Sequence, residues 1–134
     1  MRSLKVKEYM TTRLITFKAD TNVVAAMAVL LKEKISGAPV VDDDGNLLGV
    51  LSEVDIMQVI VQDSYYDEAT GIVGDYMHSP AEVVAPDTDI YTLAERFIQE
   101  GRRRYPVVSN GRLVGQISRR DVLRAVENML QHKT

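Results

Sequence analysis

The chain has 134 residues, 46% apolar and 26% charged, with a formal net charge of −3. That length and composition fit a soluble globular unit able to bury a core, and so mild a charge gives no footing for nucleic acid or a membrane surface. The absence of cysteine excludes disulfides, thiolate metal sites and cysteine nucleophiles, and no stretch nears the roughly 20 apolar residues of a membrane span.

Met1-Arg2-Ser3-Leu4-Lys5 opens without the apolar run of a signal peptide, so a cytoplasmic location is expected. Lys5 to Met10 reads as a short lead-in helix. Leu14-Ile15-Thr16-Phe17 reads as a strand, being rich in β-formers. Asp20-Thr21-Asn22 offers N-caps for a helix reaching Lys34, which Gly37-Ala38-Pro39 breaks. Strands follow at Pro39–Asp42 and Leu47–Leu51, joined by Asp43-Asp44-Gly45-Asn46, because Asp-Gly between apolar runs marks a tight turn. Ser52 then caps a helix to Gln62. Asp63–Gly74 is polar, carries two glycines and reads as a linker. Beyond it come a strand at Val83–Ala85, a helix capped by Asp87 or Thr88 and reaching Gln99, strands at Tyr105–Ser109 and Arg112–Ile117 about an Asn110-Gly111 turn, and a helix from Ser118 to Leu130.

The second half restates the first. Glu8-Tyr9-Met10 recurs as Asp75-Tyr76-Met77 and Ala38-Pro39-Val40-Val41 as Tyr105-Pro106-Val107-Val108, both 67 residues on. Gly49-Val50-Leu51-Ser52-Glu53-Val54-Asp55-Ile56 recurs as Gly115-Gln116-Ile117-Ser118-Arg119-Arg120-Asp121-Val122, at 66. Two copies of one supersecondary unit are expected, 1–62 and 75–134, with 63–74 between them. Each copy reads as strand, helix, strand, strand, helix. The run Val23–Leu31 is apolar all round, whereas a helix on one side of a sheet needs only a stripe. A homodimer interface is expected there. Its counterpart is amphipathic, with Ile90, Leu93, Ala94, Phe97 and Ile98 on one face.

Ser52-x-x-Asp55 and Ser118-x-x-Asp121 each open a helix directly after a strand. Capping explains either one: Ser accepts a backbone N–H, and Asp in the first turn complements the helix dipole. Both copies keep Ser and Asp where neighbours differ, Glu53 against Arg119 and Val54 against Arg120. A first-turn carboxylate is also placed to take two ribose hydroxyls, with an anion favoured beside it.

The two copies together resemble a tandem CBS domain, or Bateman module. The likeness rests on Tyr9-Met10 and Tyr76-Met77, the proline strands at Pro39 and Pro106, the Asp-Gly and Asn-Gly turns, and the paired Gly-x-x-Ser-x-x-Asp segments. The resemblance implies an α/β fold of the α+β type: two β-α-β-β-α repeats packed through their sheets about a pseudo-two-fold axis. It implies a non-catalytic regulatory module that binds AMP, ADP, ATP or S-adenosylmethionine and signals to a separate partner. The alternatives are a dimerisation module with vacant clefts or a metal-ion sensor.

Carried over residue by residue, the resemblance implies one cleft with Thr16, Ser36, Gly37, Ala38 and Pro39 beside Ser118 and Asp121. The other would hold Val84, Arg103, Arg104, Tyr105 and Pro106 with Ser52 and Asp55. Ribose is expected on the Asp, adenine among apolar strand residues and phosphate on cations. Copy two alone supplies those cations: Arg103 and Arg104 stand where copy one has Ser36 and Gly37, and Arg120 lies beside Asp121. Arginine's rigid fork suits phosphate oxygens.

Other chemistry is not supported. His78 and His132 are too few for a histidine metal site, and His78 reads as a surface residue before Pro80. Asp42, Asp44, Asn46 and Glu53 sit in a calcium-loop-like run, but Leu47 stands where that loop needs Gly. There is no Gly-rich dinucleotide or P-loop motif.

Overall fold

The computed structural model describes residues 4–63 and 71–131. The elements run α1 (Val6–Tyr9), α2 (Val23–Glu33), β1 (Gly37–Val41), β2 (Leu47–Ser52), α3 (Glu53–Asp63), α4 (Val73–Tyr76), α5 (Ile90–Glu100), β3 (Arg104–Ser109), β4 (Arg112–Ser118) and α6 (Arg119–Gln131). The fold is mixed α/β, with two antiparallel two-stranded sheets, β1–β2 and β3–β4. Of the expected linker, residues 64–70 lie outside the described set, as does His132.

Two compact units form: Met1–Leu14 with Glu82–Thr134, and Ile15–Ala81. The lead-in helix of each copy therefore belongs with the strands of the other copy. In the first unit the Val6 and Lys7 amides donate to the Thr88 and Pro86 carbonyls, and Thr11 and Gln116 exchange both backbone bonds. In the second, the Val73 and Gly74 amides donate to Thr21 and Ala19, and Val50 and His78 exchange theirs.

The strands expected at Leu14–Phe17 and Val83–Ala85 shrink to single parallel bridges, Phe17 to Val40 and Val84 to Val107. Phe17 donates to the Pro39 carbonyl and accepts from Val41; Val84 donates to Pro106 and accepts from Val108. Extending either ladder backward requires the amide of Pro39 or Pro106, and proline has none. The same prolines that mark the repeat thus stop its first strand.

The hairpins form as the turn residues require. Asn110 and Gly111 both take positive φ, 52° and 83°, the twist a two-residue hairpin needs. In copy one, Asp42 Oδ1 accepts from the Asp44 and Asn46 amides, both at 2.9 Å. The hydrogen bonds from Asn46 hold the Asp42 carboxyl below its ordinary value. The Asp42 side chain closes the turn.

Asn22 caps α2, accepting from the Val24 and Ala25 amides. Asp89, rather than Asp87 or Thr88, caps α5 by accepting from Tyr91. Asp87 instead pairs with Lys7. Val23, Ala26 and Leu30 of α2 are buried with Phe17, Val40, Leu51, Ile56 and Val59. Met27 and Val29 are half-buried against the same core, while Val24, Ala25, Ala28 and Leu31 face outward, Leu31 at 72% exposure. On α5 the buried face is Ile90, Leu93 and Phe97, packed with Tyr105, Val107 and Ile117. Ile98 falls off that face and is 83% exposed, because 100° per residue carries it to the stripe's edge.

Candidate functional site

Each Ser-x-x-Asp segment folds as a reciprocal cap. Ser52 Oγ accepts from the Asp55 amide at 3.3 Å, and Asp55 Oδ2 accepts from the Ser52 amide at 2.8 Å. In the other unit Ser118 Oγ accepts from the Asp121 amide at 3.2 Å and Asp121 Oδ2 from the Ser118 amide at 2.8 Å. Two amides at each helix start are satisfied this way. The capping role read from the sequence is therefore realised in both copies.

Beyond the cap the copies diverge. Asp55 Oδ2 also accepts from Ser52 Oγ and from His78 Nδ1, each at 2.9 Å. An ionised carboxylate can only accept, so Nδ1 carries the proton. Asp55 Oδ1 makes no hydrogen bond among the described residues. No buried side-chain oxygen is left unpaired among them, so this oxygen reaches solvent although Asp55 as a whole is only 8% exposed. Asp121 is paired otherwise: Arg124 Nη2 donates to its Oδ1.

The start of each proline strand lies beside the same copy's Ser-x-x-Asp. Gly37 is paired with Ser52, Ala38 with Leu51, and the Glu53 amide donates to the Ser36 carbonyl. In the other unit Arg104 is paired with Ser118, Tyr105 with Ile117, and the Arg119 amide donates to Arg103. Thr16, Arg103 and Arg120 are exposed; Ser36, Gly37, Ser52, Arg104 and Ser118 are half-buried. Ala38, Pro39, Tyr105 and Pro106 are buried.

Two expected site residues point inward. Val84 sits in its unit's core. By the 67-residue offset it matches Phe17, so the counterpart of Thr16 is Val83. Tyr105 lies wholly inside, its ring 4.5 Å from the Arg96 guanidinium carbon. Its hydroxyl donates to Glu100 Oε1 at 2.7 Å. Burial, and then the Glu100 carboxylate, push that phenol up to about 12.

Two partners were not singled out from the sequence. His78 reads there as a surface residue, and its side chain is indeed 46% exposed, yet it is bonded to Asp55. The repeat carried a cue: His78 follows Tyr76-Met77 at the place Thr11 holds in the other copy. Arg124 lies three residues after Asp121, a spacing that brings helix side chains together; its counterpart is Gln58. Among the described residues no cluster of three metal-ligating side chains occurs, and no helix is long and apolar enough to cross a membrane.

Comparison with known proteins matches this geometry to one family. The CBS domain family matches twice, over residues 6–62 and 73–128. The chain is 30% identical over 119 residues to the uncharacterized protein MJ1225 of Methanocaldococcus jannaschii, covering 89% of this chain and 41% of that protein. It spans 15% and 13% of the A-adding tRNA nucleotidyltransferases of Aquifex aeolicus and Geobacter sulfurreducens. The CBS-pair protein CBSX2 from Arabidopsis thaliana superposes with a TM-score of 0.84 at 30% identity, over 97% of this chain and 99% of that one. CBSX2 in complex with AMP gives 0.82 at 31%, over 94% and 98%. Since the family match spans both copies and the CBS-pair fold covers nearly the whole chain, this protein belongs to the CBS-domain family, as a tandem pair.

Proposed function

We propose that the chain is a regulatory module that binds adenosine-containing ligands of the AMP, ADP and ATP class, with Asp55 taking the ribose hydroxyls. The observation that carries this is the solvent-facing Oδ1 of a carboxylate that is otherwise buried and anchored. The CBSX2 complex with AMP supports the ligand class. Arg103 and Arg104 are the proposed phosphate contacts, Arg103 being exposed beside the Ser118 segment. Thr16, Ser36, Gly37, Ala38 and Pro39, and in the other unit Ser118, Arg120 and Asp121, are further proposed ligand residues. Ala38 and Pro39 are buried, so they contribute backbone and shape rather than side-chain contacts. The reading includes no catalysis and an output through a separate partner protein.

Thermal unfolding with AMP tests it. A ligand that binds only the native state at a hundredfold excess over Kd stabilises by about 2.7 kcal/mol. A rise in Tm with AMP is expected. An unchanged Tm with AMP, ADP, ATP and adenosine alike contradicts the reading and favours a structural module, a role for which the complete caps at Ser52 and Ser118 suffice.

We further propose that the chain is a homodimer. The unit Ile15–Ala81 exposes Leu31 on α2 and Val54, Met57, Ile60 and Val61 on α3, more apolar surface than scattered single residues. Light scattering at micromolar concentration should return twice the chain mass of 15.0 kDa. A mass that stays at one chain throughout that range removes the proposal.

A further inference from the structure

Asp55 and Asp121 occupy matching positions but are held differently. Around Asp55 three donors converge on one oxygen: the Ser52 amide, the Ser52 hydroxyl and the His78 imidazole. The imidazole is itself set from the backbone. The His78 amide donates to the Val50 carbonyl at 3.0 Å, and the Val50 amide donates back at 3.1 Å. Gly49 permits that approach, since a Cβ there would stand 2.6 Å from the His78 carbonyl oxygen. The carboxylate is thereby fixed in rotation with Oδ1 outward, and that oxygen keeps its full capacity to accept. Around Asp121 the arrangement is looser. Thr11 stands in the place of His78 and makes no side-chain bond to Asp121. Ser118 Oγ accepts from the Asp121 amide but does not donate back to the carboxylate. The outer oxygen is covered by Arg124.

We propose that His78 is a positioning residue that orients the Asp55 carboxylate for a vicinal diol, so that this site selects ribonucleosides over adenine-bearing ligands lacking the two hydroxyls. The inference rests on the nucleoside reading above. His78 acts through Asp55: it withholds Oδ2 from the ligand and presents Oδ1. The equivalent carboxylate, Asp121, lacks such a partner and has its outer oxygen engaged by a cation, so diol selectivity belongs to the Asp55 site.

Calorimetry with adenosine and with 2′,3′-dideoxyadenosine, on the parent, His78→Ala and His78→Asn, tests this. The half-exposed ring makes both variants tolerable to the fold, and melting curves verify it. His78→Ala should weaken adenosine roughly three- to tenfold, the range of one lost hydrogen bond, and leave dideoxyadenosine unchanged. His78→Asn, whose amide can donate from nearly the same point as Nδ1, should recover most of the adenosine affinity. A general structural role would weaken both nucleosides together and would not be rescued; that result overturns the proposal. So does adenosine affinity in His78→Ala equal to the parent's, which leaves the nucleoside reading standing. Failure of the parent to bind either nucleoside overturns both.

Discussion

Leu30→Ala is expected to lower the free energy of unfolding by about 2–5 kcal/mol, the range for emptying a buried leucine site. Leu31→Ala, one residue on, should change it by no more than about 0.5 kcal/mol where the chain is monomeric. Both leucines lie in the same apolar run on α2. Leu30 is 4% exposed and packs with the core around Val40 and Leu51, whereas Leu31 faces outward. Urea denaturation at low protein concentration separates them. Equal losses at the two positions would contradict the division of α2 into a core stripe and an outer face. At higher concentration Leu31→Ala should instead weaken self-association, if the outer face is where two chains meet.

That pair of leucines also shows what the sequence could and could not convey. An uninterrupted apolar run announces that a helix has more than one apolar face, but composition alone does not say which residues the first face takes. The register follows from the Asn22 cap, which starts the helix at Val23 and so turns Val23, Ala26 and Leu30 inward. The repeat was fully legible, because the two proline strands, two tight turns and two Ser-x-x-Asp caps recur at fixed offsets. The hairpins followed from it, since glycine and asparagine at positive φ leave few alternatives. The missing first strands were legible in principle. Pro39 and Pro106 mark the repeat and also remove the amide on which a third strand depends, a consequence that appears only once the parallel pairing is known.

The grouping of each lead-in helix with the other copy's strands left no trace in the repeat, which is silent on which copy a segment packs against. Methionine records it after the fact: Met10 lies against Gly115 and Met77 against Gly49, where an added Cβ would meet sulfur at 2.6 and 3.1 Å. At the candidate site, Ser52, Asp55, Ser118 and Asp121 could be read from spacing. Their partners His78 and Arg124 could be reached only by asking where the copies differ rather than where they agree. The burial of Val84 was harder to read. Strand residues alternate sides, and a one-residue error in register exchanges a core position for a surface one.

The larger consequence concerns Asp55 itself. Because it caps α3 and also presents Oδ1 to solvent, Asp55→Ala removes two things of different size. Loss of the cap should cost about 0.5–2 kcal/mol of stability. Loss of hydrogen bonds from a ribose to a charged acceptor costs about 1.5–3 kcal/mol each, so AMP affinity should fall tenfold or more. Asp121→Ala provides the control, since it removes an equivalent cap while its outer oxygen is already taken by Arg124. It should lose comparable stability and much less affinity. Arg103→Ala and Arg104→Ala should weaken AMP and spare adenosine, because only a phosphate contact is removed. All of these belong at one ionic strength, since exposed charges are screened by salt.

The most direct measurement is therefore calorimetric titration of AMP into the parent and Asp55→Ala at fixed salt, below the melting temperature of both. The account predicts at least a roughly tenfold weaker Kd for the variant. AMP binding to Asp55→Ala with the affinity of the parent would show that Asp55 serves α3 alone, and would contradict the ribose assignment.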